Sequence, residues 1–488
     1  MTEWALRAKD LKGYPHFDGP ISAKQATEYA SDPDTVKSHA FYPFFLYKES
    51  WTKFAEKGKK GKIKSRPIRY GARRDAYIFT KYRHILSEKY ESDLSNHGLE
   101  SNVLAYRRIK NPKADGGKCN IHFAQDAIEI VKGFGNCAAV AIDISGFFES
   151  LDHDLLKRAW ERTLKISRLP DDHFAVFKAI TRYSFVEKEL AYERLGHFGH
   201  KRTTSGGKAI NGYTTPKKDI PTQLCSGAEF RTKILNAKPK IVETNYKPFG
   251  IPQGAPLSDL LANLYMLDFD ILIRDEVESA GGRYFRYSDD ILIIVPGGGP
   301  EASKWLDRCK TVLPEFGAKL EIQPEKAVGH AFTQADGSQT CERIFGNSAK
   351  NGMEYLGFRY NGRGVYLRDG TLSRLFRKVT MAARREANAA VRRFPDRDAE
   401  AIKAEFNYEK LIARFGRVQD FDEKERDYRS WTFWTYVRRA ADIFGPEGDR
   451  IRRQMRRHRE RIRARANLEI DSAIQRRERT KARTAAGT

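Results

Sequence analysis

The chain has 488 residues, 40% of them hydrophobic, with 88 Lys and Arg against 64 Asp and Glu and a formal net charge of +24. That apolar fraction supports a packed core and excludes a disordered chain, and at roughly 150 residues per domain the length holds about three domains or one multi-lobed enzyme. The positive surplus points to a polyanionic partner, nucleic acid first, with a merely soluble basic protein as the plainer alternative. Cys119, Cys137, Cys225, Cys309 and Cys341 are scattered without a CxxC pair, so neither a zinc ribbon nor a redox pair is expected, and an odd count in a long chain suits a reducing cytosol. The N-terminus lacks a basic-then-apolar leader, and no apolar run approaches the roughly 20 residues a bilayer span needs, so a cytoplasmic protein without a membrane partner is expected.

In chain order, residues 1 to 60 are mixed, with the aromatic cluster "AFYPFFLYKESW" at 40 to 51. The glycines of the basic run "KGKKGKIKSRPIRYGARR" (57–74) predict a loop or hairpin, and "DAYIFTKYRHILSEKYE" predicts a helix. Residues 137 to 151, "CAAVAIDISGFFESL", read as a buried strand running into a turn. A helix follows over "DHDLLKRAWERTL", with Asp152 or Asp154 as its cap. Residues 195 to 248 are rich in Gly, Thr, Lys and Pro and read as a long insertion or loop. From Ser258 a single helix is expected, capped by Ser258, with Leu260, Leu264, Leu267 and Ile271 on one face and Gly281 as its stop. The stretch "RYFRYSDDILIIV" (283–295) predicts a hairpin with arms 283–287 and 291–295. A helix "EASKWLDRCKTVL" and a strand "AKLEI" come next. This alternation predicts an α+β domain on a small antiparallel sheet. Beyond residue 371 the pattern is helical and Arg-rich, and the tail reads as a helix in a complex or a disordered arm without one.

Three pieces of this pattern carry chemistry. Asp289 and Asp290 stand side by side at the hairpin tip, where like charges repel unless a cation lies between them. Mg²⁺ takes carboxylate and phosphate oxygens, and two-metal transfer of a nucleotidyl group needs an acidic clamp. Alone, the pair reads first as an acidic solvated turn. Asp143 ends the buried strand, a costly place for an acid unless it is paired, metal-bound or a cap. Gln253-Gly254 precede a helix, and a glycine there lets backbone approach a flat base pair, or simply forms the loop leading into that helix.

Together and in this order, these pieces resemble motifs A ("AIDISGFFESLDH"), B ("GIPQGAPLSDLLAN") and C ("YSDD") of reverse transcriptases. "RPIRY" (66–70) and "VLAYRR" (103–108) look like the family's fingers motifs, "LEIQPEKA" (320–327) like motif D, and "MEYLGFRYNG" (353–362) like motif E, the primer grip. The resemblance covers residues 40 to about 380. It implies a right-hand polymerase: an N-terminal region and fingers (1–136), a palm (137–370) with a long insertion at about 185–248, a helical thumb (371–448) and an Arg-rich basic C-terminal tail (449–488). It further implies that Asp143, Asp289 and Asp290 are metal ligands for two Mg²⁺ ions, or Mn²⁺, with Asp290 in the lesser part. Lys64, Arg66 and Arg107 would contact the incoming triphosphate, unless they form a solvated basic face. Gln253 and Gly254 would abut template and nucleotide. Lys326 would be the general acid toward pyrophosphate, or an inert surface lysine. Tyr287 would flank the primer end, or lie in the core, and Tyr355, Leu356 and Gly357 would form the primer grip. Phe148 lies five residues after Asp143, where the family places its sugar gate; the other reading is core packing beside Phe147. As a gate it would make the product DNA.

The chain shows no Cys-rich endonuclease tail, no VTG or NAxxH signature of retron enzymes, and no RNase H or integrase segment. Asp259 stands where many relatives have Pro. The run from "YPFF" to "VLAYRR", with a long insertion before "GIPQG", is similar to the bacterial defence-associated "unknown group" reverse transcriptases. That similarity implies cDNA synthesis from dNTPs on a structured noncoding RNA that serves as template or scaffold, in antiviral defence, and it is compatible with a homo-oligomer. Arg452, Arg453, Arg456 and Arg457 in the tail would dock the RNA, since each neutralised phosphate releases counterions, unless the tail is a solvated helix. The alternatives from other classes are an RNA-binding scaffold with an idle polymerase fold and a maturase-like partner of group II introns.

Overall fold

The computed structural model of the chain describes residues 4–52, 63–112, 116–201, 210–347, 350–416 and 432–486. Residues 57–62 of the expected hairpin loop and 202–209 of the expected insertion lie outside these. In chain order the described strands are β1 Phe44–Thr52, β2 Ile63–Tyr70, β3 Cys137–Asp143, β4 Ser184–Glu187, β5 Phe198–Lys201, β6 Ile210–Tyr213, β7 Val242–Thr244, β8 Arg283–Tyr287, β9 Asp290–Pro296, β10 Val328–Ala335, β11 Ser338–Phe345, β12 Met353–Tyr355, β13 Phe358–Tyr360 and β14 Val365–Leu367. They are hydrogen-bonded in the orders β2-β1-β4-β7, β11-β10-β3-β9-β8, β12-β13-β14 and β5-β6. With helices throughout and a helical C-terminal extension, this is the expected α+β class. No described helix is long and apolar enough to cross a membrane. The chain divides into two compact units: Met1–Arg107 with Ile142–Ile293 and Lys304–Ala327, and Arg108–Ala141 with Ile294–Ser303 and Val328–Thr488. The chain changes unit inside β3 and again inside β9.

In the first unit, β1 and β2 pair antiparallel from Phe45↔Tyr70 to Thr52↔Ile63, giving the expected hairpin. β4 joins β1 in parallel, and β7 joins β4 antiparallel. The helix Arg73–Asn96 buries Tyr77, Ile78, Tyr82, Leu86 and Tyr90 at helical spacing. Residues 195–248 are not the open loop their composition suggested. They supply β5, β6, β7 and a turn of π-helix at Phe230–Leu235. Their apolar residues Ile234 and Val242 close a core with Phe17, Phe45, Val186 and Tyr192. The elements are too short and irregular to leave a period of 2 or 3.6 in the sequence. Fully buried Arg73 ties this segment to the N-terminus, donating from Nε to the Lys12 carbonyl (3.1 Å) and from Nη2 to the Thr222 carbonyl (3.0 Å).

The expected single helix after residue 258 is two, Ser258–Tyr265 and Leu267–Ser279, broken at Met266. Ser258 is not the cap: it is the first helical residue, and its hydroxyl donates to the Pro252 carbonyl (2.7 Å). Asp152 is the cap of His153–Leu164, accepting from the Asp154 and Leu155 amides.

In the second unit, β10 pairs with β11 and, through Val328↔Ala141, with β3. The hairpin β12–β13 extends to β14, and the helix Asp369–Arg393 follows. The tail is no free arm. Its helix His458–Ala486 packs along Asp369–Arg393 and buries Ile462, Ala466, Ile470 and Ile474. Buried Glu469 accepts from Arg384 (2.9 Å) and Arg465 (2.7 Å). The arginine density hid this apolar stripe.

Candidate active site

The start of β3 is built of small buried residues, Cys137, Ala138 and Ala139, and the strand ends at Asp143. The backbone around that end is tied on two sides. The Ile144 amide donates to the Asp289 carbonyl (3.1 Å), the Ser145 amide to Glu321 (2.7 Å), and the Gln323 amide to the Asp143 carbonyl (2.8 Å). The expected strand over "AKLEI" is therefore only a single antiparallel bridge, Ile144↔Ile322. Residues 321–323 wrap the end of β3 rather than extend a ladder, which is why a strand-like composition gave no strand. A short turn of helix at Pro324–Lys326 then presents Lys326, whose Nζ lies 2.6 Å from Asp143 Oδ1.

Opposite, β8 and β9 form the predicted hairpin, joined by Ser288 and Asp289. Ser288 has φ +63°, a left-handed conformation unusual for a residue with a Cβ. Asp289 is half-buried and Asp290 exposed. Burial, and then the negative charge of Asp143, hold the Asp289 carboxyl above its ordinary range, with Lys326 acting against them. Asp143 and Asp289 are therefore electrostatic neighbours, and the ammonium of Lys326 supplies the cation that two such carboxylates require. Among the described residues no group of three or more His, Cys, Asp or Glu is disposed to hold a metal ion. The three predicted ligands are thus not drawn together as a cage.

Beneath the turn lies Arg286, fully buried, in a two-pronged pair with fully buried Asp270 (Nε–Oδ1 and Nη2–Oδ2, both 2.6 Å). Arg286 Nη1 donates to Asn263 Oδ1 (3.0 Å) and to the Ser288 carbonyl (3.1 Å). Tyr284 donates its hydroxyl to Asp270 (2.7 Å), and Asn263 Nδ2 donates to the Ala105 carbonyl (3.0 Å).

The loop Ile251–Leu257 runs against β2. The Arg69 amide donates to the Gln253 carbonyl (2.8 Å). Gly254 has φ +115°, and a Cβ there would lie 2.5 Å from the Arg69 carbonyl oxygen, so only glycine fits this approach. The Arg69 guanidinium is buried between the rings of Tyr183 and Phe185 (5.3 and 5.1 Å to the centroids), 3.7 Å from Glu149. Phe147 is core, whereas Phe148 stays half-buried, with its carbonyl accepting from the Ile251 amide (2.8 Å). Asp259, at the start of the next helix, pairs with Arg83, which also donates to the Pro256 (3.0 Å) and Tyr106 (3.1 Å) carbonyls.

The Arg107 guanidinium is engaged within the chain: it is gripped by Glu91 (2.9 and 2.7 Å) and donates to the Glu100 and Val103 carbonyls. Lys64 and Arg66 lie on one face of β2, Lys64 half-buried and Arg66 exposed. Tyr287 ends β8 and is half-buried. Tyr355, Leu356 and Gly357 belong to the second unit, at the β12–β13 turn; Leu356 (φ +45°) and Gly357 (φ +99°) reverse the chain, and Asn120 Nδ2 holds the Leu356 carbonyl (3.0 Å). Arg453, Arg456 and Arg457 are exposed in the same unit, whereas Arg452 is paired with Asp442 and Asp449 (2.6 Å each). Sequence reasoning missed Arg69, Asn263, Asp270, Arg286 and Ser288. One signal was present: an arginine between Phe285 and Tyr287 in an apolar arm must find a buried partner.

Residues 212–360 match the family described as reverse transcriptase (RNA-dependent DNA polymerase). The chain therefore carries a reverse transcriptase domain, which holds Gln253, Gly254, Asp289, Asp290, Lys326 and the β12–β13 hairpin; Asp143 and Phe148 precede the matched stretch. A search of curated proteins gives no match. Among solved structures the chain is similar to apo telomerase from Candida tropicalis (11% identity, 88% of this chain and 63% of that one, TM-score 0.37) and to the same enzyme truncated from its C-terminal domain (10%, 71% and 60%, 0.38). It is similar as well to telomerase from Candida albicans in complex with a TWJ fragment of telomeric RNA (11%, 92% and 64%, 0.37). The chain thus spans less than two thirds of the length of these telomerase chains.

Proposed function

We propose that this chain is an RNA-directed DNA polymerase that copies a bound noncoding RNA into cDNA from dNTPs, in antiviral defence in the cytoplasm. The observation that carries the polymerase reading is the opposed pair Asp143 and Asp289, one at a strand end and one at a hairpin turn, with Lys326 on Asp143. Hard carboxylate oxygens in mutual repulsion fit Mg²⁺, which binds through one or two carboxylates and fills its shell with water and substrate phosphate. This accounts for why Asp143, Asp289 and exposed Asp290 need no preformed cage. Bound divalent ions would supply nucleophile activation and charge neutralisation for nucleotidyl transfer. The chain's own residues do the rest. In this reading Asp143 and Asp289 would share the ions, Lys326, paired with Asp143 (2.6 Å), would give a proton to the departing pyrophosphate, and half-buried Phe148, five residues after Asp143, would serve as the sugar gate. The defence role and the noncoding RNA rest on the similarity of "YPFF", "RPIRY" and "VLAYRR" and on the charge of +24. The test is to purify the protein with its nucleic acid, sequence that nucleic acid, and add Mg²⁺ and dNTPs. A specific RNA and a complementary DNA product are expected; a specific RNA without incorporation favours the idle scaffold instead.

A further inference from the structure

Arg286 and Asp270 are both fully buried. A buried ion pair is a poor stability device, because apolar residues of similar volume usually serve as well or better. Its value must lie in what it holds, and it holds the turn that carries Asp289 and Asp290. The Ser288 carbonyl accepts from Arg286 Nη1, the Ser288 hydroxyl meets Tyr106 Oη (3.0 Å), and the next carbonyl, of Asp289, accepts from Ile144. These three tethers fix a serine in a left-handed conformation that it would not choose alone. The segment before Arg107 serves the same end: the Arg286 amide donates to Asn102 (2.8 Å), the Leu104 amide to Arg286 (2.9 Å), and Asn263 bridges Arg286 to Ala105. We infer that Arg286 and Asp270 are positioning residues that set the Ser288–Asp289 turn, and that residues 102–106 act as a clamp on that turn. The inference rests on the polymerase reading for its catalytic consequence only.

The deciding variant is the double substitution Arg286→Met, Asp270→Leu. It removes both charges and leaves neither buried alone, so the fold should survive. A cooperative melt below that of the wild type is expected, because the Tyr284 hydroxyl and Asn263 Oδ1 lose their partners, with faster amide hydrogen exchange concentrated across residues 287–291. On the polymerase reading, kcat should fall roughly 100-fold while KM for dNTP barely moves, since a displacement of about 1 Å at a catalytic group costs that much. A purely structural pair predicts unchanged exchange and unchanged kcat in the folded double variant, and that result overturns the inference. Arg286→Lys is the second variant, for the case in which the double variant does not fold. It keeps the charge but not the fork, and unchanged exchange and rate there would be equally fatal. If the wild type incorporates no nucleotide at all, the polymerase reading falls, while the exchange measurement still decides whether the pair sets the turn.

Discussion

Gly254→Ala probes the approach of β2 to the loop before helix Ser258–Tyr265. Two costs combine. A non-glycine residue at φ +115° costs about 1–2 kcal/mol in local sterics. The new Cβ would also lie 2.5 Å from the Arg69 carbonyl oxygen, and since both sides are main chain, no rotamer relieves the clash. The strand and loop must part, giving up the Arg69–Gln253 bond at 2.8 Å and leaving its polar groups poorly satisfied, a further cost of about 1–3 kcal/mol. The total is roughly 2–5 kcal/mol. Gly196→Ala is the matched control: φ is +82°, and nothing lies within 4 Å of the added Cβ, so only the first cost applies. Thermal melts of both variants beside the wild type, with primer-extension rates, separate the contributions. Gly254→Ala should melt well below Gly196→Ala and lose roughly 100-fold in rate, because Gln253 moves with the loop. Equal melts and equal rates for the two variants would refute the close approach and, with it, the placement of Gln253.

Asp143→Asn and Asp289→Asn should each abolish dNTP incorporation without unfolding the protein. Because burial and Asp143 raise the Asp289 carboxyl from its ordinary value of 3.8, the folded state favours the protonated form and the ionised residue costs stability above that raised value. In Mg²⁺-free buffer Asp289→Asn should therefore melt above the wild type at pH 7, with the gap closing as pH falls toward 3.8; a constant gap would remove the electrostatic coupling. Phe148→Ala should raise the rNTP to dNTP ratio of kcat/KM by roughly 10–100-fold, whereas loss of both activities with a lower melt would mark Phe148 as core. Replacing Arg453, Arg456 and Arg457 with Ala should leave the melt unchanged and flatten the slope of log affinity for RNA against log salt. The slope should fall by about 0.7–0.9 for each phosphate that is no longer neutralised, and an unchanged slope would show that these arginines do not meet the RNA. That is a cleaner test than deleting the tail, since deletion would also strip Ile462, Ile470 and Ile474 from the second unit's core.

The continuous apolar runs of the fold were legible in the sequence. The two apolar arms of "RYFRYSDDILIIV" around its paired aspartates gave the β8–β9 hairpin, and the run "CAAVAI" gave β3, because these strands are buried along nearly their whole length. The insertion was not legible: Ile234, Ile241 and Val242 reach their core from single turns with no period to read. Nor was Ser258 readable as a donor, since a serine before an apolar run looks like a cap whether or not its hydroxyl turns back to Pro252. In the candidate site, Asp143 and Asp289 were conspicuous as acids at a strand end and a tight turn, and Lys326 was noticed through the stretch "LEIQPEKA" although it lies 183 residues from Asp143. The buried pair Asp270 and Arg286 was not noticed, because a separation of 16 residues says nothing of proximity. For Arg107 the motif suggested a phosphate, and spacing gave no sign of its partner in the structure, Glu91 on the preceding helix.

The wrap of residues 321–323 around the end of β3 sets a schedule for the newly made protein. Asp143 leaves the ribosome early, but the amide of Gln323 and the ammonium of Lys326 that meet it are made about 180 residues later, which at 5–20 residues per second is roughly 10–40 s. Through that interval the end of β3 lacks the backbone that shapes it, and Asp143 lacks its cation. A nascent chain released between residues 290 and 327 holds all three aspartates but has neither the backbone that ties the end of β3 nor the ammonium that meets Asp143.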